Sequence, residues 1–114
     1  MVAITLGSIA VAVNATGIDA PGAPVLEPIF KCTIVGETYM WAAKYRDQNF
    51  DPNLTLGWIR AQASDLDKKP LFTDSFYKEV VNKVYFDPGY VNARGKAFSK
   101  QMRDICMGRH WDPV

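Results

Sequence analysis

Histidine is almost missing from this chain and cysteine is scarce, with one His and two Cys in 114 residues. A structural zinc site needs four ligands, and a nucleophilic cysteine needs an imidazole that a third group holds in place. Cys106, His110 and Asp112 near the end of the chain fall short of both, so no metal and no cofactor is expected. Gly-rich phosphate loops, GxSxG and HExxH are absent as well. Charge of one sign is not in excess: 13 Lys and Arg against 12 Asp and Glu leave a net charge of +1. That gives no whole-molecule attraction to nucleic acid. No run approaches the roughly 20 apolar residues of a bilayer-crossing helix, so no stable membrane span is expected. What remains is 48% hydrophobic and 22% charged, the mixture of an ordinary globular chain long enough for one domain.

The first fifteen residues, MVAITLGSIAVAVNA, carry no charged side chain. They resemble the hydrophobic region of a secretory signal, and Val13 and Ala15 place small residues before a cleavage site. The rival is a buried β-strand, which a short Val- and Ile-rich run equally describes. We read residues 1–15 as a signal-peptide remnant because Thr16 to Pro28 follow, with three prolines and two glycines in thirteen positions. That composition describes an extended linker, residues 16–28, and not the return of a hairpin.

Helical periodicity then sets in, giving a helical domain over residues 29–108 and a C-terminal tail at 109–114. The first helix is expected from about Phe30 to Asp47. At roughly 100° per residue it places Cys32, Val35, Tyr39, Ala42 and Ala43 on one stripe. Asp51 caps a second helix with Pro52 in its first turn; it is expected to reach about Leu66, with Leu56, Ile59, Ala63 and Leu66 inward. Thr73 or Asp74 caps the third, with Phe72 and Tyr77 as a hydrophobic staple and Phe76, Val80, Val81 and Val84 inward. Asp87-Pro88-Gly89 is a turn. The fourth helix is expected from about Asn92 to Met107, with Phe98, Met102 and Ile105 inward and Gly108 closing it. The fold class is therefore all-α: a small four-helix bundle, up-down-up-down, behind an irregular N-terminal leader.

That topology returns the end of the fourth helix beside the start of the first, bringing Cys106 to Cys32. An export signal would also deliver both to a compartment where disulfides persist. Closing a loop of this length stabilises by roughly 4 kcal/mol at most. The alternative is a pair of buried reduced thiols acting as small hydrophobes. A reactive Cys106 is disfavoured, because a helix C-terminus presents carbonyl oxygens and the negative end of the dipole.

Lys96, Lys100 and Arg103 form a basic stripe, which reads first as a solvated helix face. Asp65 with Asp67, and Asp47 with Asp51, read as caps and turn formers. The unabsorbed feature is apolar. Ile34, Trp41 and Tyr45 form a second stripe on the first helix, and Leu54, Trp58 and Ala61 lie away from the inner face of the second. Either these pack under the N-terminal segment or the tail containing Trp111, or they form a contact surface, where Trp and Tyr are the usual anchors.

The order of a signal-like leader, Cys32, a helix ending in AAKYRD, the helix FYKEVVNKVYFDP and a final MRDIC resembles small exported two-cysteine helical proteins of Gram-negative bacteria. Acid-stress periplasmic chaperones of the HdeA type, and helical periplasmic immunity proteins that neutralise cell-wall amidases, are similar in layout. The resemblance implies a periplasmic or secreted, non-catalytic domain that binds a protein partner or a second copy. It carries over no binding residue. The contact candidates, from the sequence itself, are Ile34, Trp41, Tyr45 and Trp58. A small enzyme or small-molecule binder with a site between helices, and a structural component of a larger assembly, are the alternatives.

Overall fold

A computed structural model describes residues 18–111, with side chains described through residue 108. The signal-peptide reading of residues 1–15 lies outside the described residues. All regular elements among the described residues are helical: α1 (Pro28–Asp47), α2 (Pro52–Gln62), α3 (Asp74–Phe86), a 3-10 turn at Pro88–Tyr90, and α4 (Gly95–Trp111).

The starts of α1, α2 and α3 follow from local chemistry. Pro28 and Pro52 sit in first turns, where a missing N–H costs nothing. The Asp51 carboxylate accepts from the Asn53 N–H at 2.8 Å, and the Thr73 hydroxyl accepts from the Phe76 N–H at 3.2 Å. Phe72 and Tyr77 form the expected staple, with ring centroids 6.0 Å apart. Lys44 and Arg46 in the last turn of α1 complement its carbonyl end.

Two helices differ from expectation at their boundaries. The second helix stops at Gln62, because from Ala63 the chain folds back on itself. The Leu71 N–H donates to the Ala63 carbonyl and the Asp65 N–H to that of Lys69, while the Asp65 carboxylate accepts from the Asp67 and Lys69 N–H groups. Leu66, expected inward, stands at the tip of this loop in full solvent. The fourth helix starts at Gly95 and runs through Gly108 to Trp111, so that glycine closes nothing. Ile105, also expected inward, is exposed, while Phe98 and Met102 are buried as expected.

The core forms around α1. Its predicted stripe of Cys32, Val35, Tyr39, Ala42 and Ala43 is buried throughout, as are Phe76, Val80, Val81 and Val84 of α3. The backbones of α2, α3 and α4 all approach α1, and those of α2 and α3 approach each other, but α4 approaches α1 alone. Contacts near both ends fix the senses. Cys32 meets Cys106 and Asp47 meets Arg94, so α4 runs back along α1. Thr55 meets Tyr85 and Ala63 meets Tyr77, so α3 runs back along α2.

The cysteine pair is at disulfide distance, with Cα atoms 5.4 Å apart across 74 positions. Further along the same pair of helices, Gly36 lies against the backbone of Ser99, with no room for a side chain. Where the helices leave off, Arg46 ties the chain together. Its guanidinium donates to the carbonyls of Val84 (3.1 Å), Tyr90 (2.9 Å) and Ala93 (2.8 Å). These lie in the last turn of α3, the 3-10 turn and the approach to α4.

Candidate binding site

The contact candidates singled out from the sequence divide into two groups. Ile34, Trp41, Tyr45 and Trp58 are all half-buried. Tyr45 and Trp58 meet with ring centroids 5.0 Å apart, and Phe50, from the connection between α1 and α2, completes the group at 6.0 Å from Tyr45 and 4.9 Å from Trp58. These near-perpendicular or tilted rings close the α1–α2 corner, so much of their apolar surface is used within the fold. Ile34 and Trp41 stand outside that trio and, like Tyr45, pack half-buried against the core. The structure thus brings together two of the four candidates. Phe50 was missed because it falls in the turn segment, where periodicity assigns no face.

A second apolar feature was not visible in the sequence. Since α4 approaches only α1, a cleft of about 130 Å³ remains between α3 and α4. Val35 and Tyr39 of α1 form its floor, Phe76 one wall, and Met102 and Ile105 the other, with the Cys32–Cys106 pair at the α4 side. Ile18, from the segment preceding α1, also lines it. Val35, Tyr39, Phe76 and Met102 were legible as core, whereas Ile105, read the same way, is exposed; the missing signal is the distance between two helix faces. Spacing along a chain gives a face its direction and not its neighbour.

Charge at the cleft is internally paired. Lys31 and Glu79 border it; Lys31 pairs with Asp19 at 3.0 Å and Glu79 with Lys83 at 2.9 Å. Exposed apolar side chains continue beyond it at the same pole of the molecule: Ile29 and Phe30 in the first turn of α1, and Ile105 in α4.

The other sequence candidates have structural roles. Asp51 and Asp65 accept backbone N–H groups, and Asp47 pairs with Arg46 at 3.0 Å and Arg94 at 3.2 Å. On the basic stripe, Lys100 and Arg103 both reach Asp104, and the Lys100 hydrogen bond holds that carboxyl below its usual range. Among the described residues no group of three or more His, Cys, Asp or Glu is arranged to hold a metal ion, and no helix is long and apolar enough to cross a membrane. His110 and Asp112 lie outside the described side chains.

No family model matches this chain, and neither the curated proteins nor the solved structures include a match to it.

Proposed function

We propose that this chain is an exported, non-catalytic protein-binding domain, and that the cleft between α3 and α4 takes an apolar side chain of its partner. The observation that carries this reading is the chemistry of the cleft. Its floor and walls are aliphatic and aromatic, and its bordering charges are already paired. Such a hollow rewards burial of an apolar anchor. The half-buried Ile34, Trp41 and Tyr45 of α1 and Trp58 of α2 are the candidates for a second contact. The opposed senses of α1 with α4 and of α2 with α3 support an up-down-up-down order. A Cys32–Cys106 disulfide and a cleavable leader at residues 1–15 support a periplasmic or secreted location.

A stoichiometric partner recovered with the protein from its native host should be lost in Ile105→Asp, with helix content by circular dichroism unchanged. Its retention in that variant, together with loss in Trp41→Ala or Trp58→Ala, would move the interface to the aromatic strip. The second reading, an apolar small-molecule binder, is favoured by the cleft's size. An enclosed apolar cavity of roughly 150 Å³ accepts a single aromatic ring. A co-purifying small molecule without a protein partner would decide for it.

A further inference from the structure

We propose that the Cys32–Cys106 crosslink is a thiol-exchange site that gates the cleft between α3 and α4. A dithiol reductant attacks Cys106, Cys32 leaves, and the freed end of α4 takes one wall of the cleft with it. Three observations carry this assignment. Both cysteines line the cleft, so the crosslink stands beside the site it controls. The two differ in access: Cys32 is 1% exposed on the core stripe of α1, whereas Cys106 is half-buried. The segment that bears Cys106 has little else to hold it. Past the point where Ser99 meets Gly36, Met102 is its one buried apolar residue among the described side chains, and Ile105 is exposed.

Exchange is a displacement at sulfur, so access and leaving group together select the sulfur that is attacked. A thiolate of the reductant, its proton given up to water, bonds to the Cys106 sulfur. The Cys32–Cys106 bond breaks, and its electron pair leaves with Cys32 as a thiolate that takes a proton from water. The second thiol of the reductant, deprotonated in turn, then displaces the Cys106 thiolate, which is protonated likewise. The reductant ends as a disulfide and the protein as two thiols, two electrons and two protons having passed between them. Helix polarity adds a small bias in the same direction. Cys32 sits in the second turn of α1, toward the positive end of its dipole, and Cys106 in the last two turns of α4, toward the negative end. The departing thiolate is therefore better placed at Cys32.

The consequence for the cleft rests on its reading as a binding site. Met102 and Ile105 form the α4 wall, and both lie on the segment that the crosslink fastens to α1. Once the crosslink opens, that wall is free to leave the Val35 and Tyr39 floor. The oxidised protein then holds an apolar anchor and the reduced protein releases it.

The test uses the oxidised full chain of 114 residues. Reduced glutathione, a monothiol, stops the exchange after its first displacement. Trypsin cuts after Lys31 and Arg103, which puts the two cysteines in separate peptides. In samples quenched in acid at successive times and labelled with a maleimide, glutathione should be found first on the Cys106 peptide and maleimide on the Cys32 peptide. Glutathione first on Cys32, on both equally or on neither overturns the proposal, and so does a chain isolated with both thiols free. The gate is read with benzene, a probe suited to a small apolar cavity. It should shift the Met102 and Ile105 methyl signals of the oxidised chain, and the shifts should be lost after dithiothreitol while the Val80 and Val84 methyl signals of α3 stay in place. A Cys32→Ala, Cys106→Ala double variant should match the reduced chain. Benzene shifts in both forms or in neither, or unfolding of α3 upon reduction, overturns the gate. The partner reading fails separately, through the native-host recovery of Ile105→Asp, whatever glutathione and benzene show.

Discussion

At Gly36 the two longest helices come into backbone contact. A methyl group added there would collide with the Ser99 carbonyl oxygen, and a backbone atom cannot swing away as a side-chain tip can. Gly36→Ala should lower stability by about 2 kcal/mol or more, the cost of forcing packed helices apart. Gly57 provides the contrast. It lies in the exposed interior of α2, where an added methyl group would meet nothing within 4 Å, so Gly57→Ala should raise stability by roughly 0.5–1 kcal/mol through backbone entropy. Urea unfolding midpoints read both. Tyr77 couples the loop after α2 to α3: its buried hydroxyl donates to the Ala63 carbonyl at 2.7 Å and accepts the Phe72 N–H at 3.2 Å. Tyr77→Phe takes the partner from the Phe72 N–H and leaves the Ala63 carbonyl with the Leu71 N–H alone, and should cost about 1–3 kcal/mol. Burial, partly offset by the Phe72 hydrogen bond, raises this phenol above its ordinary 10.0. The folded protein then keeps a proton that the unfolded chain releases first. That contribution is complete below about pH 10 and is lost as pH climbs from there through the folded-state value. Alkaline titration of stability should show a shallower fall in Tyr77→Phe than in the parent.

At the scale of elements, local chemistry starts the helices and also stops one of them early. Asp51→Ala removes the acceptor for the Asn53 N–H and should destabilise by about 1 kcal/mol, measurable as a lowered urea midpoint. The inner faces of α1 and α3 were legible because the helical period is uninterrupted there, and in α3 the Thr73 cap agrees with it. In α2 they conflict. Periodicity carried on to Leu66, but the Asp65 carboxylate collects two backbone N–H groups and turns the chain, so turn chemistry prevailed. Thr55 was passed over for Leu56, yet Thr55 is the fully buried one. The Tyr85 hydroxyl donates to the Phe50 carbonyl at 2.9 Å, so at 2.7 Å the Thr55 hydroxyl must donate to Tyr85. A hydrophobicity pattern has no means of scoring that pairing. The candidate site divides in the same way. Tyr45 and Trp58 were visible as aromatics off the inner face, whereas the cleft depends on α3 and α4 standing apart, a property of three helices together.

At the scale of the whole molecule, α4 is the exposed member of the fold. Among the described helices only the backbone of α1 approaches it, and the Gly36–Ser99 crossing and the Cys32–Cys106 pair beyond it tie the two together. Crosslinking positions 74 residues apart restricts the unfolded chain and should contribute about 2–4 kcal/mol. The consequence for the folded state is uneven. When the crosslink is opened, the part of α4 before the crossing keeps Phe98 against Tyr39 and Tyr90, while in the part after it Met102 is the one buried apolar anchor among the described side chains. Amide hydrogen exchange should therefore quicken most from Met102 onward upon reduction, and much less in α2 and α3. Intact mass of the protein from its native host, with and without reductant before alkylation, belongs to the same experiment. An oxidised pair takes no label until reduced, and then two. If unreduced protein takes both labels and α4 exchanges no faster after reduction, the crosslink is not what holds α4 to α1. The cleft beside it would then owe its shape to packing on Val35 and Tyr39 alone.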